Sequence, residues 1–122
     1  MSWKFDEKSP IYSQIAHYIK MQIISQEMVS GERLPTVREL AETAGVNPNT
    51  MQRAFTELER EGMVYSQRTS GRFVTKDKDL IAAKRHEAAQ SEIHSFVANM
   101  RKIGFQNDDI ISVLESFMKE NN

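Results

Sequence analysis

The chain has 122 residues, 39% of them hydrophobic and 27% charged, and 16 Lys and Arg against 17 Asp and Glu give a formal net charge of −1. Such a composition belongs to an ordinary globular protein of one domain, or one small domain with an appendage, and leaves no room for a large catalytic fold. Cysteine is absent, which excludes a disulfide framework, thiolate metal sites and a cysteine nucleophile.

In chain order, residues 9–28 are predicted as a helix: Ser9 suits the N-cap, Pro10 the first helical position, and Ile11, Ile15, Tyr18, Ile19 and Ile23 recur at helical spacing. Residues 30–35 break the pattern with Gly31 and Pro35. Thr36 with Glu39 three residues on is the capping-box spacing of a new, short helix, with Val37, Leu40 and Ala41 on its apolar face. Gly45 stops it, since glycine readily takes the left-handed conformation of a helix end. Asn47 and Pro48 start the next helix as cap and first residue; Met51, Ala54, Phe55 and Leu58 form its buried stripe, and Gly62 ends it. Residues 63–67 and 72–75 are two β-prone runs around Arg68-Thr69-Ser70-Gly71, a hairpin with an exposed tip.

From Asp77 a run free of glycine and proline extends to Gly104 and is predicted as a long helix. Ala82, His86, Ala89, Ile93, Phe96, Met100 and Ile103 along it are spaced as a heptad seam, weak in its first half. Asn107 with Asp108 and Asp109 is predicted to cap a final helix whose face carries Ile110, Val113, Leu114, Phe117 and Met118. These two helices form a predicted helical hairpin.

Two helices joined by a short turn, with Ala41 four residues before Gly45, have the spacing of a helix-turn-helix, and the hairpin after them makes it a winged one. The start of the second helix offers Asn47, Asn49, Thr50, Gln52 and Arg53, groups able to bond base edges and phosphates, with no acid before Glu57. The wing region 62–76 contains Arg68, Arg72 and Lys76 and no acid, whereas Glu57, Glu59 and Glu61 lie just before it. The near-neutral net charge argues the other way, and a winged helix that binds another protein is the rival reading.

At these residues the sequence resembles the GntR family of bacterial transcription regulators. Its opening helix pattern stands as Pro10-Ile11-Tyr12-Ser13-Gln14-Ile15, and its second block runs from Gly31 through Leu34-Pro35-Thr36 to Arg38-Glu39-Leu40-Ala41. Gly45-Val46-Asn47-Pro48-Asn49-Thr50, Leu58 to Gly62 and Gly71-Arg72-Phe73-Val74 complete it over residues 10–75. The resemblance implies that Arg38 contacts DNA and that Asn47, Asn49, Thr50 and Gln52 contact bases and phosphates. The family's wing tip carries a basic residue followed by glycine; here Arg68 is followed by Thr69, a departure from the pattern. Only about 47 residues follow the wing, so the chain looks like the small YtrA subfamily, whose tail mainly makes the dimer.

The remaining candidates have plainer explanations. His86 and His94 lie eight residues apart on one predicted helix, about 12 Å, too far to share a metal. Packing of the N-terminal segment accounts for Trp3, Phe5, Tyr12 and Tyr18 better than an aromatic ligand pocket does. No Ser, His or metal companion stands at catalytic spacing from the glutamates, so no enzyme is read. Charged residues among the first eight and the lack of 18 consecutive apolar residues place the expected protein in the cytoplasm, off the membrane.

The expected protein is therefore mostly α with a small β-hairpin: a winged helix-turn-helix DNA-binding domain over 1–76 and a helical dimerisation tail over 77–122. Arg38, Arg68 and Arg72 are expected at phosphates or the minor groove, with Asn47, Asn49, Thr50 and Gln52 at bases and Arg53 beside them. Ile93, Phe96, Met100, Ile103, Ile110, Leu114 and Phe117 are expected to make a homodimer on a double-stranded, two-fold operator. No metal or cofactor is expected, and a small-molecule effector is left open. The winged domain's own core is expected to be Ile15, Ile19, Leu40, Val46, Met51, Phe55, Leu58 and Phe73.

Overall fold

The computed structural model describes residues 3–121. It contains α1 (Ile11–Ile24), α2 (Val37–Ala44), α3 (Pro48–Arg60), β1 (Val64–Gln67), β2 (Gly71–Val74), α4 (Lys78–Lys102) and α5 (Asn107–Glu120). The chain divides into two compact units, one running to Arg85 and the other starting at His86, so that the boundary falls inside α4.

In the first unit α1 and α2 both pack on α3. Ile15, Ile19 and Ile23 of α1, Leu40 and Ala41 of α2, and Met51, Ala54, Phe55 and Leu58 of α3 are all buried. These are the apolar positions at helical spacing, and their removal from water is what holds the three helices together. The 9–28 helix is shorter than expected at both ends. Pro10 is extended (ψ 143°) and caps α1 without a side-chain bond, so Ser9 lies outside. The preceding segment is instead tied down by Gln14, whose Oε1 accepts from Asp6 N (3.0 Å) and whose Nε2 donates to the Asp6 and Ser9 carbonyls (2.9 and 2.8 Å). Trp3 packs in tilted geometry against Tyr18 and Phe5, with ring centroids 4.9 and 6.0 Å away. At the other end Gln26 takes a left-handed conformation (φ 64°) and its Nε2 donates to Ile23 O at 2.7 Å, while Arg85 Nε donates to Ile24 O at 2.9 Å. Side chains thus satisfy carbonyls that a longer α1 would have bonded itself.

β1 and β2 are antiparallel, with Val64 opposite Val74, Tyr65 opposite Phe73, Ser66 opposite Arg72 and Gln67 opposite Gly71. Residues 32–34, expected only as a turn, pair with the far edge of β2: Val74 N donates to Glu32 O (2.9 Å), Leu34 N to Arg72 O (2.8 Å), and Arg33 stands opposite Phe73. Alternation sends Val64 and Val74 into the core and leaves Tyr65 and Phe73 stacked at 5.7 Å on the other face. Phe73 is accordingly half-buried rather than a core residue, as is Val46. Met63, Val64 and Val74, which were not among the expected core residues, are buried.

Thr75 is buried, its hydroxyl accepting from Asp77 N (3.1 Å), and Asp77 Oδ1 accepts from Leu80 N (3.0 Å) to cap α4. In the second unit Gly104 (φ 99°) ends the turn after α4. Gln106 and not Asn107 is the N-cap of α5; its N–H donates to Asp109 Oδ2 (3.3 Å), and Asn107 Oδ1 accepts from Arg101 instead (2.8 Å). Every residue of α5 is exposed except Ile110. Among the described residues no helix is long and apolar enough to cross a membrane.

Candidate nucleic-acid interface

The turn between α2 and α3 is set by three local devices. Thr36 accepts from Glu39 N (3.1 Å) and Glu39 Oε1 accepts from Thr36 N (3.4 Å), a reciprocal cap that starts α2. Gly45 ends it at φ 70°, ψ 34°, with Val46 N donating to Ala41 O (3.0 Å). Asn47 Oδ1 then accepts from Asn49 N (2.7 Å), and Pro48 is the first residue of α3. Asn47, expected both as the cap and at DNA, uses its side-chain oxygen in the cap and remains exposed.

The buried residues of α3, Met51, Ala54, Phe55 and Leu58, fix its opposite face, where Asn49, Gln52, Arg53 and Thr56 are exposed at i, i+3, i+4 and i+7. Thr56 was missed in the sequence, although the spacing alone places it there. Its hydroxyl donates to Gln52 O at 3.0 Å. Thr50 is half-buried at the edge of this face. The first turn of α3 holds no acid, so its free N–H groups and positive dipole end meet no internal counter-charge there.

The arginines separate into two groups. Arg53 lies over the Tyr12 ring of α1, 3.9 Å from its centroid. Arg72 is half-buried: its Nε donates to Glu59 Oε1 at 2.6 Å and its guanidinium sits 5.4 Å from the Phe55 ring centroid. It was expected at phosphates, yet here its charge is balanced inside the fold. Arg38, on the first turn of α2, and Arg68, at the hairpin tip, are exposed and make no side-chain hydrogen bond or ion pair among the described residues.

The three glutamates that precede the wing do not face a polyanion bare. Glu57 pairs with Arg60 (2.6 Å), Glu59 with Arg72, and Glu61 with both Lys20 (2.9 Å) and Lys84 (3.1 Å). Burial opposes ionisation of Glu61, but the hydrogen bonds from Lys20 and Lys84 overcome it and hold the carboxyl below the usual glutamate range. Among the described residues no group of three or more His, Cys, Asp or Glu side chains stands close enough to hold a metal.

Of the residues expected in the tail interface, Ile93 (53% exposed), Phe96 (37%), Ile103 (69%), Leu114 (42%) and Phe117 (58%) are open in the single chain. Met100 is half-buried and Ile110 is already buried.

Comparison with known proteins gives this geometry a family. The profile of the bacterial regulatory proteins of the gntR family matches residues 11–74. The chain is similar to a GntR family transcriptional regulator from Listeria monocytogenes, with 38% identity and a TM-score of 0.82 over 92% of this chain and 98% of that one. The transcriptional repressor YtrA of Bacillus subtilis is 41% identical over 57% of this chain and 53% of its own. A structure of AraR(DBD) in complex with operator ORX1 matches with a TM-score of 0.56 at 26% identity, over 62% of this chain and 96% of that one. The chain belongs to the gntR family of bacterial transcription regulators, and α1 to α3 with the β1–β2 hairpin, the part its profile matches, are the DNA-binding domain.

Proposed function

We propose that the protein is a homodimeric, sequence-specific transcription repressor, acting in the cytoplasm, that sets two α3 helices into successive major-groove faces of a two-fold operator. The observation that carries this reading is the exposed face of α3, Asn49, Gln52, Arg53 and Thr56, behind an acid-free helix start, together with Arg38 and Arg68, unpaired among the described residues. Asn49, Thr50 and Gln52 read base edges. Asn47 and the α3 amides meet a phosphate, Arg38 and Arg68 anchor the backbone, and Arg53 is aimed by Tyr12. Arg72 acts from within, holding the hairpin to α3 through Glu59. The likeness to a relative named as a repressor supports the sign of regulation, and the likeness to an operator complex supports a duplex partner. The exposed apolar residues of α4 and α5, with Ile110 beneath them, support the dimer. No metal or organic cofactor has a part in it.

The test is selection of bound sequences from a random duplex pool, followed by affinity measurements on the selected site. Arg68→Ala should weaken all DNA nearly equally, lowering the slope of log K on log salt by about 0.9. Gln52→Ala should relax preference at particular bases, by about 1 to 3 kcal/mol for a lost bidentate contact. A pool with no enriched sequence at low salt, or equal affinity in Arg38→Ala, Gln52→Ala and Arg68→Ala, would refute the reading in favour of a protein-binding winged helix.

A further inference from the structure

We propose that Arg33, seated on Gly71 at the base of the wing tip, is a further phosphate-binding residue, supplying a second cation beside Arg68. The inference rests on the DNA-binding reading above and assigns a residue to it that no motif singled out.

The observation is a sorting of the eight arginines in the chain. Five are engaged by the protein itself: Arg53 over Tyr12, Arg60 with Glu57, Arg72 with Glu59, Arg85 with the Ile24 carbonyl and Arg101 with Asn107. Three, Arg33, Arg38 and Arg68, have no side-chain hydrogen bond or ion pair among the described residues. Two of those three already stand at the DNA in the reading above. A guanidinium carries five donors and a permanent charge, so one left open and exposed is suited to an anion that arrives from outside.

The place of Arg33 fits that role. Its backbone bridges β2 opposite Phe73, so by strand alternation its side chain shares the outer face of the sheet with Tyr65, Phe73 and Gly71. On the inner face Arg72 is neutralised by Glu59. Arg72 and Arg33, on opposite faces of the sheet, therefore divide, the first holding the hairpin to α3 and the second kept open. The Arg33 guanidinium lies against Gly71: a Cβ at that position would stand 3.2 Å from Nε, 3.5 Å from Nη2 and 3.8 Å from Cζ. Gly71 adopts φ 104°, open to glycine and rarely to other residues, so the same residue that turns the hairpin leaves the seat for the guanidinium. Gly71 directly follows Arg68-Thr69-Ser70, which puts the seat next to the tip. The neighbouring acid, Glu32, is turned to Val29, whose N–H its Oε1 accepts at 3.0 Å. An arginine whose guanidinium already rests against backbone at one edge loses less rotamer freedom when a phosphate binds it.

A structural role, in which the Arg33 stem only covers Phe73, predicts a different result. The full-length protein and its Arg33→Gln, Arg33→Lys and Arg68→Ala variants are titrated with the selected operator and with an unrelated duplex over a range of salt. Arg33→Gln is expected to reduce the salt slope by about 0.9 and to weaken both duplexes alike, by about eightfold at 0.1 M salt relative to 1 M. Its melting temperature stays at the wild-type value, and Arg33→Lys keeps the wild-type slope. An unchanged slope in Arg33→Gln, while Arg68→Ala lowers it, overturns the assignment of Arg33 and leaves the DNA reading intact. A lowered melting temperature with an unchanged slope shows the merely structural role. Failure of the wild-type protein to bind either duplex removes the DNA reading itself, and this assignment with it.

Discussion

Replacing Phe117 by Ala separates the stability of the chain from the stability of its dimer. In the single chain Phe117 is 58% exposed, and Ile110 is the one buried residue of α5. A 14-residue helix with so little cover is marginal alone, since nucleation costs more than a few hydrogen bonds return. Cover from a second copy is the remedy the homodimer reading supplies. Fully burying a Phe side chain stabilises by about 1.5 to 3 kcal/mol, so the exposed 58% represents about 0.9 to 1.7 kcal/mol still to be gained. A two-fold interface makes each contact twice, which raises the loss on truncation to about 1.7 to 3.5 kcal/mol per dimer. That corresponds to a dimer dissociation constant weaker by about 20-fold to 400-fold. Sedimentation equilibrium over a range of concentrations reads this directly, and a thermal melt of the winged unit should be unmoved, because its core is elsewhere. Operator affinity should fall with the dimer, because two tethered half-site contacts become separate ones and an effective-concentration gain of about 100-fold to 10,000-fold is lost. A dissociation constant within threefold of wild type, in both Phe117→Ala and Phe96→Asp, would show that the tail is not the interface.

Two further outcomes follow from the first unit. The Glu61 carboxyl is held below its ordinary value in the folded protein, so its contribution is fully present above the unfolded glutamate range and is lost as pH falls through the folded value. Melting temperatures of wild type and Glu61→Gln should therefore differ at neutral pH and converge as pH falls below the unfolded glutamate range; a gap that stays constant with pH refutes the Lys20–Glu61–Lys84 account. Arg72→Ala should lower the stability of the winged unit by about 1 kcal/mol while leaving the salt slope of DNA binding at the wild-type value, as a partly exposed ion pair within the fold requires. A slope reduced as in Arg68→Ala would put Arg72 at a phosphate after all.

What was legible in the sequence was mainly local. Thr36 with Glu39, Gly45, and Asn47 with Pro48 act within three or four residues of themselves, and the structure uses each as its spacing predicts. The same holds for the stripe Met51, Ala54, Phe55, Leu58, whose burial fixes Asn49, Gln52 and Arg53 on the outer face of α3. Errors arose where a distant group decides. The end of α1 depends on Arg85, 61 positions away, and on the left-handed Gln26, which carries no glycine signal. Residues 32–34 pair with β2 only because β2 offers an edge, and Phe73, which stands opposite Arg33, is 40 residues on. Phe73 was placed in the core because it is large and apolar, but register decides the face, and Val74 has the inward parity.

The electrostatics were legible least of all, and for an instructive reason. Counting charges along the chain sets Glu57, Glu59 and Glu61 against Arg68 and Arg72 and yields a protein too neutral for a polyanion. In the fold those three acids are paired with Arg60, Arg72, Lys20 and Lys84, so their fields are locally cancelled and add little at the distance of a bound duplex. Arg33, Arg38 and Arg68 have no such partner among the described residues. A net charge of −1 thus coexists with open guanidinium groups at the start of α2 and around the wing, because the acids nearest the wing are paired in place while Arg38, Arg68 and Arg33 are not. Net charge bears on solubility and on long-range steering; the binding face is set by which charges the fold leaves over.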